Sequence, residues 1–258
     1  MCFHLKATKE SQLAKAIRLG NASLIKKLKS KIEKETNLPL FHVSGFAHPK
    51  LVIHTSHPEN PFEIAFWGLI PNWIKDDQAA KSIQSKTLNA RSETIFEKPS
   101  FKDAIQTKRC IIYVDGFYEY KHINNKKYPH FIQQKNSKPL ALAGLCSSWY
   151  SSVKKQTINT FTIVTIKGNA FMAAIHNNPK LKEPRMPLFL NEENETTWLN
   201  NQDNITEKTI QELQKQANKK QLKAHTVQAL LGNKYLGNVK EVSQEFAYLE
   251  LNNNLTLF

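Results

Sequence analysis

The chain has 258 residues, 40% of them hydrophobic and 22% charged, which supplies a buried core and excludes a disordered chain. Thirty-six basic residues against 22 acidic ones give a net charge of +14, so we expect a polyanionic partner such as nucleic acid, the alternative being a lysine-rich solvated surface. The sequence has no apolar run of membrane-helix length, and its three scattered cysteines exclude a disulfide framework and favour a reducing cytoplasm.

Hydrophobic periodicity predicts the elements in chain order. Apolar residues at helical spacing predict one or two amphipathic helices between residues 12 and 34. Short apolar runs predict strands at 40–45, 51–54 and 63–68, and Ser100 opens a predicted helical turn with Asp103 at the capping-box position. Further strands are predicted at 110–114, 117–122, 128–133, 140–145 and 160–166, followed by helices at 169–176 and 206–218.

Many short strands with few helices, and no regular βαβ alternation, predict an α+β fold. We expect a single domain over residues 1–258, built around a curved, barrel-like, mostly antiparallel sheet with peripheral helices. The lysine-rich segment from about residue 192 to 258 is expected to be a peripheral addition.

Arginine is rare among the basic residues: only Arg18, Arg91, Arg109 and Arg185 are arginine. A guanidinium group binds phosphate or carboxylate through two parallel hydrogen bonds, which an ammonium group cannot do. These four positions are therefore the first candidates for binding residues.

Cys2 follows the initiator methionine, which we expect methionine aminopeptidase to remove because the next side chain is small. The chain would then begin with an amine and a thiol on adjacent carbons. Its α-amine, with a pKa near 8, is partly neutral at cytoplasmic pH. Such a pair can condense with an aldehyde to an imine and close to a thiazolidine ring. The alternative is that Cys2 is an ordinary early residue.

The segment TLNARSE, residues 87–93, places Asn89 and Arg91 two residues apart. In an extended segment both side chains project to one side, where they suit a sugar and its phosphate. The alternative is that Asn89 caps a helix and Arg91 points into solvent.

The segment RCIIYVDGFYEY, residues 109–120, predicts a strand, a turn at Asp115-Gly116 and a second strand. Alternation places Glu119 beside Phe117, where a partly desolvated carboxylate could act as a general acid or base. The alternative is an ordinary carboxylate on the strand surface. Cys110 and Cys146 lie in apolar strands and are expected to be buried and inert.

His176 ends a predicted helix and precedes a loop that reaches Arg185. Histidine can transfer protons at neutral pH, although a position at a helix C-terminus explains it equally well. Trp67 and Trp73 offer aromatic surface for base stacking, and the alternative for Trp67 is a core residue. The histidines show no metal-ligand spacing, so we expect no metal and no cofactor.

Five motifs in this order resemble the SOS response associated peptidase (SRAP) family: Cys2, WGLIPNW, LNARSET, RCIIYVDGFYEY and IH…RMP. The resemblance spans about residues 2–190. It implies a sensor of abasic sites in single-stranded DNA that acts in the DNA damage (SOS) response. It also implies a covalent DNA–protein crosslink through Cys2, and a cytoplasmic monomer that associates with the nucleoid when bound to DNA.

The resemblance also implies a role for each matching residue. Cys2 would be the nucleophile, Asn89 would position the opened deoxyribose, and Glu119 would be the acid/base for ring opening, assisted by His176. Contacts with the DNA would come from five further residues, of which the arginines would bind phosphates: Arg91, Arg185, Trp67, Trp73 and Tyr120.

The chain departs from the family pattern in four places. Phe3 and His4 stand where the family has Gly and Arg, and Tyr120 stands where it has Trp. The segment between His176 and Arg185 is longer than usual, and a helical insert occupies about residues 10–36.

Two other functions compete with this one. The older family name suggests a cysteine autopeptidase that removes its own leader, with hydrolase rather than lyase-type imine chemistry. The other alternative is a single-strand binder that uses charge and aromatic stacking without catalysis.

Overall fold

The computed structural model describes residues 2–57, 61–200, 204–219 and 221–252. The strands, numbered in chain order, are β1 (His4–Ala7), β2 (Leu40–Ser44), β3 (Lys50–Thr55), β4 (Phe62–Trp67), β5 (Asn89–Arg91), β6 (Arg109–Val114), β7 (Gly116–Ile123), β8 (Lys126–Gln134), β9 (Leu140–Ser151), β10 (Gln156–Lys167), β11 (Arg185–Pro187), β12 (Phe189–Leu190) and β13 (Leu222–Thr226). The α-helices are α1 (Lys9–Arg18), α2 (Ala22–Glu35), α3 (Asp77–Gln84), α4 (Ala104–Thr107), α5 (Ala170–Ile175), α6 (Glu192–Leu199), α7 (Glu207–Asn218) and α8 (Leu249–Asn252).

Five strands close into a barrel. The order runs from β10 through β4, β3 and β6 to β9, and β9 pairs again with β10. Closure depends on Gly144, which is opposite Cys110 of β6 and Ile163 of β10. A Cβ there would lie 2.4 Å from a methyl carbon of Ile112 and 2.8 Å from a carbonyl oxygen of β10. The predicted α+β fold with a curved, barrel-like, mostly antiparallel sheet is confirmed, with β10 parallel to β4 and β5.

A second, antiparallel sheet lies beside the barrel in the order β13, β8, β7, β1, β2. The predicted strand, turn at Asp115-Gly116 and second strand are present, but the two strands do not pair with each other, because β6 belongs to the barrel and β7 to this second sheet. The chain crosses between the sheets here, and the Asp115 carboxylate accepts hydrogen bonds from the backbone N–H and hydroxyl of Thr8 at 2.7 and 3.0 Å. A Cβ at Gly116 would lie 2.4 Å from the carbonyl oxygen of Ile132. Only glycine fits this close crossing.

The helices cover the outside of the barrel. The region 12–34 forms two helices, α1 and α2, which begin after Thr8 and Asn21 as side-chain caps. The predicted capping box at Ser100 and Asp103 is not formed, because α4 begins at Ala104 and the Asp103 side chain makes no capping hydrogen bond. Among the described residues, no helix is long and apolar enough to span a membrane.

The segment after residue 192 is not a peripheral addition. It contributes β13 to the second sheet, where the strand pairs with β8. It also contributes Trp198 of α6 and Leu213 of α7 to the hydrophobic core, where both are buried. This segment therefore stabilises both sheets.

Candidate active site

The register between β1 and β7 brings the N-terminal residues beside Glu119. His4 pairs with Tyr118 and Leu5 pairs with Phe117 in antiparallel register, so the residues just before β1 run alongside those that follow Tyr118. Cys2 is fully buried in this position. The fold thus places the thiol of Cys2 against a strand that carries a buried carboxylate.

Asn89 holds the backbone of Cys2. It lies in β5, which runs parallel to β10 with Asn89 opposite Ile163. Its side-chain amide donates a 2.8 Å hydrogen bond to the carbonyl oxygen of Cys2. The amide oxygen of Asn89 is buried and has no hydrogen-bond partner among the described residues. A strand here excludes the alternative that Asn89 caps a helix, and the oxygen remains as an acceptor for a ligand.

Glu119 and His176 meet in the same place. The Nε2 atom of His176 lies 3.7 Å from Oε2 of Glu119, and both side chains are less than 10% exposed. Burial raises the pKa of Glu119 to about 7, and burial lowers the pKa of His176 to about 4. Because Glu119 titrates near neutral pH beside a neutral imidazole, the pair can both take up and release a proton. The ordinary surface carboxylate considered for Glu119 is excluded by its burial.

His176 is oriented by the backbone of Arg185. Its Nδ1 atom lies 3.1 Å from the backbone nitrogen and 3.0 Å from the carbonyl oxygen of that residue. This contact fixes the ring at the end of α5 and directs Nε2 towards Glu119. The loop between His176 and Arg185 therefore closes on itself despite its length.

The thiol of Cys2 is protonated in this environment. Burial, followed by the negative charge of Glu119, raises its pKa well above the ordinary value. A thiol reacts as the thiolate, so this one needs a base to remove its proton. The carboxylate whose negative charge raises the pKa of this thiol is that of Glu119.

The pair of Glu119 and His176 opens into a cavity of about 250 Å³. Besides these two side chains it is lined by Phe3, His4, Tyr120, His122, Lys127, Asn178, Leu181 and Leu231. The hydroxyl group of Tyr120 is buried without a hydrogen-bond partner among the described residues. Tyr120 thus lines the cavity, and its contact with DNA stays a prediction.

Arg185 does not face a surface open to phosphate. It is 3% exposed, and its guanidinium group donates to Glu93 at 2.7 and 2.9 Å and to Glu183 at 3.0 Å. A further bond at 2.8 Å goes to the carbonyl oxygen of Thr165. The expected phosphate contact is therefore corrected to an internal ion pair that supports the loop of His176.

Two other arginines also bind groups of the protein itself. Arg109 is 1% exposed and donates to the carbonyl oxygens of Ile105, Gln106 and Trp198 at 2.6 to 2.7 Å. Arg18 pairs with the buried Glu195. Arg91 and Arg18 are both exposed. The guanidinium groups of Arg18, Arg109 and Arg185 bind carboxylates or carbonyl oxygens of the protein.

Trp67 is a core residue, so its expected role in base stacking is corrected. It is fully buried, its indole nitrogen donates to the carbonyl oxygen of Leu88 at 2.8 Å, and its ring packs on Phe161. It supports the strand that carries Asn89. Trp73 is 50% exposed and lines a different cavity. Of the two other cysteines, Cys110 is buried as expected, whereas Cys146 is partly exposed.

A histidine network beside the site was not anticipated. The Nδ1 atom of His4 lies 3.0 Å from Nε2 of His42, whose Nδ1 atom lies 2.8 Å from the hydroxyl of Tyr235. Burial lowers the pKa of both imidazoles, that of His42 to about 3. These partners are 38 and 193 residues apart, so no local sequence pattern indicates the network.

Comparisons with known proteins agree on one family. A sequence model of the family SOS response associated peptidase (SRAP) matches residues 1–234. The abasic site processing protein YoqW of Bacillus subtilis is 38% identical over 179 residues, which is 66% of this chain and 75% of that protein. The abasic site processing protein HMCES of Gallus gallus is 32% identical over 143 residues, 48% of this chain and 40% of that protein.

A solved structure shows the same architecture. The crystal structure of a protein from Bacteroides thetaiotaomicron, 30% identical in sequence, superposes with a TM-score of 0.76. The alignment covers 95% of this chain and 100% of that one.

Proposed function

Because the chain belongs to the SOS response associated peptidase (SRAP) family, as its five ordered motifs predicted, we propose that it processes abasic sites in DNA. The relatives YoqW and HMCES carry that function in their names. In its specific form, the proposal is that the chain captures the aldehyde of an abasic site in single-stranded DNA. The capture is a covalent thiazolidine bond to Cys2, formed after Met1 has been removed.

The observation that carries this proposal is the convergence of Cys2, Asn89, Glu119 and His176 from four separate parts of the chain. Asn89 holds the backbone of Cys2 at 2.8 Å, and the charge of Glu119 acts on the thiol. His176 approaches the same carboxylate to 3.7 Å. A nucleophile, a proton carrier and a positioning amide are the groups that capture of an aldehyde requires.

Glu119 suits the first step, opening of the abasic sugar. The sugar exists mostly as a closed hemiacetal, and opening it removes the proton of the C1 hydroxyl and adds one to the ring oxygen. A carboxyl group with a pKa of about 7 can do both at neutral pH. The unpartnered oxygen of Asn89 can accept a hydrogen bond from the hydroxyl that this step releases.

The second step forms the thiazolidine ring with the loss of one water molecule. The α-amine of Cys2 adds to the aldehyde carbon, and the carbonyl oxygen leaves as water with one hydrogen from the amine and one from the thiol. The sulfur then bonds to the same carbon. Glu119 and His176 carry the thiol proton towards the leaving oxygen, because the buried thiol does not give it up unaided.

Burial and charge favour a single strand as the substrate. Glu119 and His176 lie inside a cavity of about 250 Å³, so the abasic sugar must leave the base stack to reach them. A single strand does so without the cost of unpairing neighbours. The net charge of +14 and the exposed guanidinium group of Arg91 supply attraction to its phosphates.

A denaturing gel tests the proposal. The protein is incubated with a single-stranded oligonucleotide that carries one abasic site, and with the same strand carrying an intact base. We expect a band that survives denaturation only with the abasic strand and only while Cys2 is present. A non-covalent complex alone would favour the single-strand binder, and loss of N-terminal residues without any DNA adduct would favour the autopeptidase.

A further inference from the structure

Two phenylalanine rings lead from the cavity onto the open surface. Phe3, which follows Cys2, lines the cavity together with Glu119 and His176. Its ring centroid lies 5.3 Å from that of Phe46, with the ring planes at 31°. Phe46 is 55% exposed. An exposed aromatic ring therefore adjoins the wall of the candidate active site.

The exposed ring is held in place. Phe46 belongs to a short 3-10 turn, Gly45–Ala47, whose first N–H donates to the carbonyl oxygen of Phe3 at 2.7 Å. The hydroxyl of Ser44 accepts from the N–H of Phe46 at 3.3 Å. A Cβ at Gly45 would lie 3.1 Å from the ring of Trp67, so the turn also packs tightly on the core. The ring is presented to solvent by a fixed backbone.

We propose that Phe3 and Phe46 form a stacking platform for the nucleobase next to the abasic nucleotide, an inference that rests on the proposed function of the cavity. Bases stack on aromatic side chains with little dependence on sequence, which suits recognition of a lesion that has lost its own base. A single exposed ring is far smaller than the roughly 800 Å² that each partner buries in a stable protein interface. It matches the face of one base.

The order of the side chains from the cavity to the surface supports a neighbouring nucleobase as the group that stacks on Phe46. The abasic sugar would lie at Glu119 and His176, and Phe3 separates them from Phe46. The neighbouring nucleotide is one sugar-phosphate unit away, so its base, and not the abasic sugar, is the group that reaches the outer ring. The stacking would compensate for the base that the lesion has lost from the strand.

A double-mutant cycle tests the platform. The strands carry a tetrahydrofuran abasic analogue, which cannot open to an aldehyde, so that only non-covalent binding is measured by fluorescence anisotropy. In further strands the base on the 5′ or the 3′ side of the analogue is also removed. We expect Phe46→Ala to weaken binding about 5- to 150-fold. Removing the base on one side should weaken wild-type binding by a similar factor and leave Phe46→Ala unchanged.

Three variants complete the design. Phe46→Trp should retain the dependence on the neighbouring base, and Phe46→Leu, which keeps apolar bulk but has no aromatic face, should lose it. Tyr150→Ala, at a side chain that is 61% exposed on β9, is the matched control and should bind like the wild type. The platform is wrong if, on both the 5′ and the 3′ side, removing the base weakens binding by Phe46→Ala as much as binding by the wild type.

The result is separable from the proposed function. A wild-type protein that shows the coupling but forms no adduct with a true abasic strand would contradict the covalent mechanism alone. An adduct without any coupling between Phe46 and a neighbouring base would contradict the platform alone.

Discussion

The side-chain amide of Asn89 donates a 2.8 Å hydrogen bond to the carbonyl oxygen of Cys2, joining residues that are 87 positions apart. This bond ties the N-terminal segment, which precedes β1, to β5 on the barrel. It fixes where the backbone of Cys2 lies relative to Glu119 and His176. Cys2 is thereby positioned by the second sheet, through β1, and by the barrel, through Asn89.

Asn89→Ala should slow crosslinking by about 10²-fold, because loss of position near a reacting centre carries costs of that order. The lost hydrogen bond should also lower the free energy of unfolding by about 1 kcal/mol. Single-turnover crosslinking at saturating protein measures the first effect, and denaturant unfolding measures the second. Asn159→Ala is a matched control, because that amide bonds to Ser148 on the barrel. A normal rate for Asn89→Ala would show that the amide has no positioning role.

Glu119→Gln should slow crosslinking at neutral pH by about 10² to 10⁴-fold, the usual contribution of a general acid or base. The amide keeps the size of the side chain but cannot exchange a proton. The mass of the final adduct should stay the same, because the carboxylate is not the covalent partner. Rapid-quench kinetics with an abasic oligonucleotide checks the rate, and an unchanged rate would make the carboxylate structural.

The same carboxyl group should make stability depend on pH. Its pKa is about 7 in the folded chain because of burial and about 4.3 when unfolded. The folded state therefore binds more protons between these values, and the contribution of Glu119 to stability declines as pH rises through 7. Over pH 5 to 8, the Tm of Glu119→Gln should rise relative to that of the wild type. A difference in Tm that stays constant with pH would mean that the pKa of Glu119 is not raised in the folded chain.

Local patterns predicted most of the elements, because periodicity is a property of neighbouring residues. Both N-terminal helices and the strands of the barrel appear close to the predicted positions. The pairing of strands was harder to predict from the sequence. Asp115-Gly116 has the composition of a hairpin turn, yet the backbone N–H of Thr8 donates to the Asp115 carboxylate and the chain crosses to another sheet. That partner is 107 residues away, and no local pattern contains it.

The same distinction applies to the site. The positions of Cys2, Glu119 and His176 were predicted from chemistry and from the family resemblance, and the structure brings them together. The burial of Arg185 was not predictable, because it depends on long-range partners. Arg185 looks like a phosphate ligand in the sequence, and only the fold reveals that Glu93 accepts both of its parallel hydrogen bonds.

Arg91 and Arg185 should respond differently to the same substitution. Arg91→Lys should weaken capture of single-stranded DNA without lowering Tm, because the exposed residue loses only the planar fork. Arg185→Lys should instead lower Tm, because Lys cannot replace the bonds to Glu93 and Glu183. Binding by anisotropy and thermal unfolding are measured on both variants. A drop in Tm for Arg91→Lys, or none for Arg185→Lys, would reverse the two assignments.

The central claim is that Cys2 acts with both its amine and its thiol. Intact-mass spectrometry of the crosslinked product tests it most directly, with a chain that begins at Cys2, a chain that retains Met1, and Cys2→Ala incubated with one abasic oligonucleotide. The account predicts a heat-stable adduct only for the chain that begins at Cys2, lighter by one water than the sum of protein and DNA. A heat-stable adduct from the Met1-retaining chain, whose cysteine nitrogen is an amide, would contradict the aminothiol mechanism.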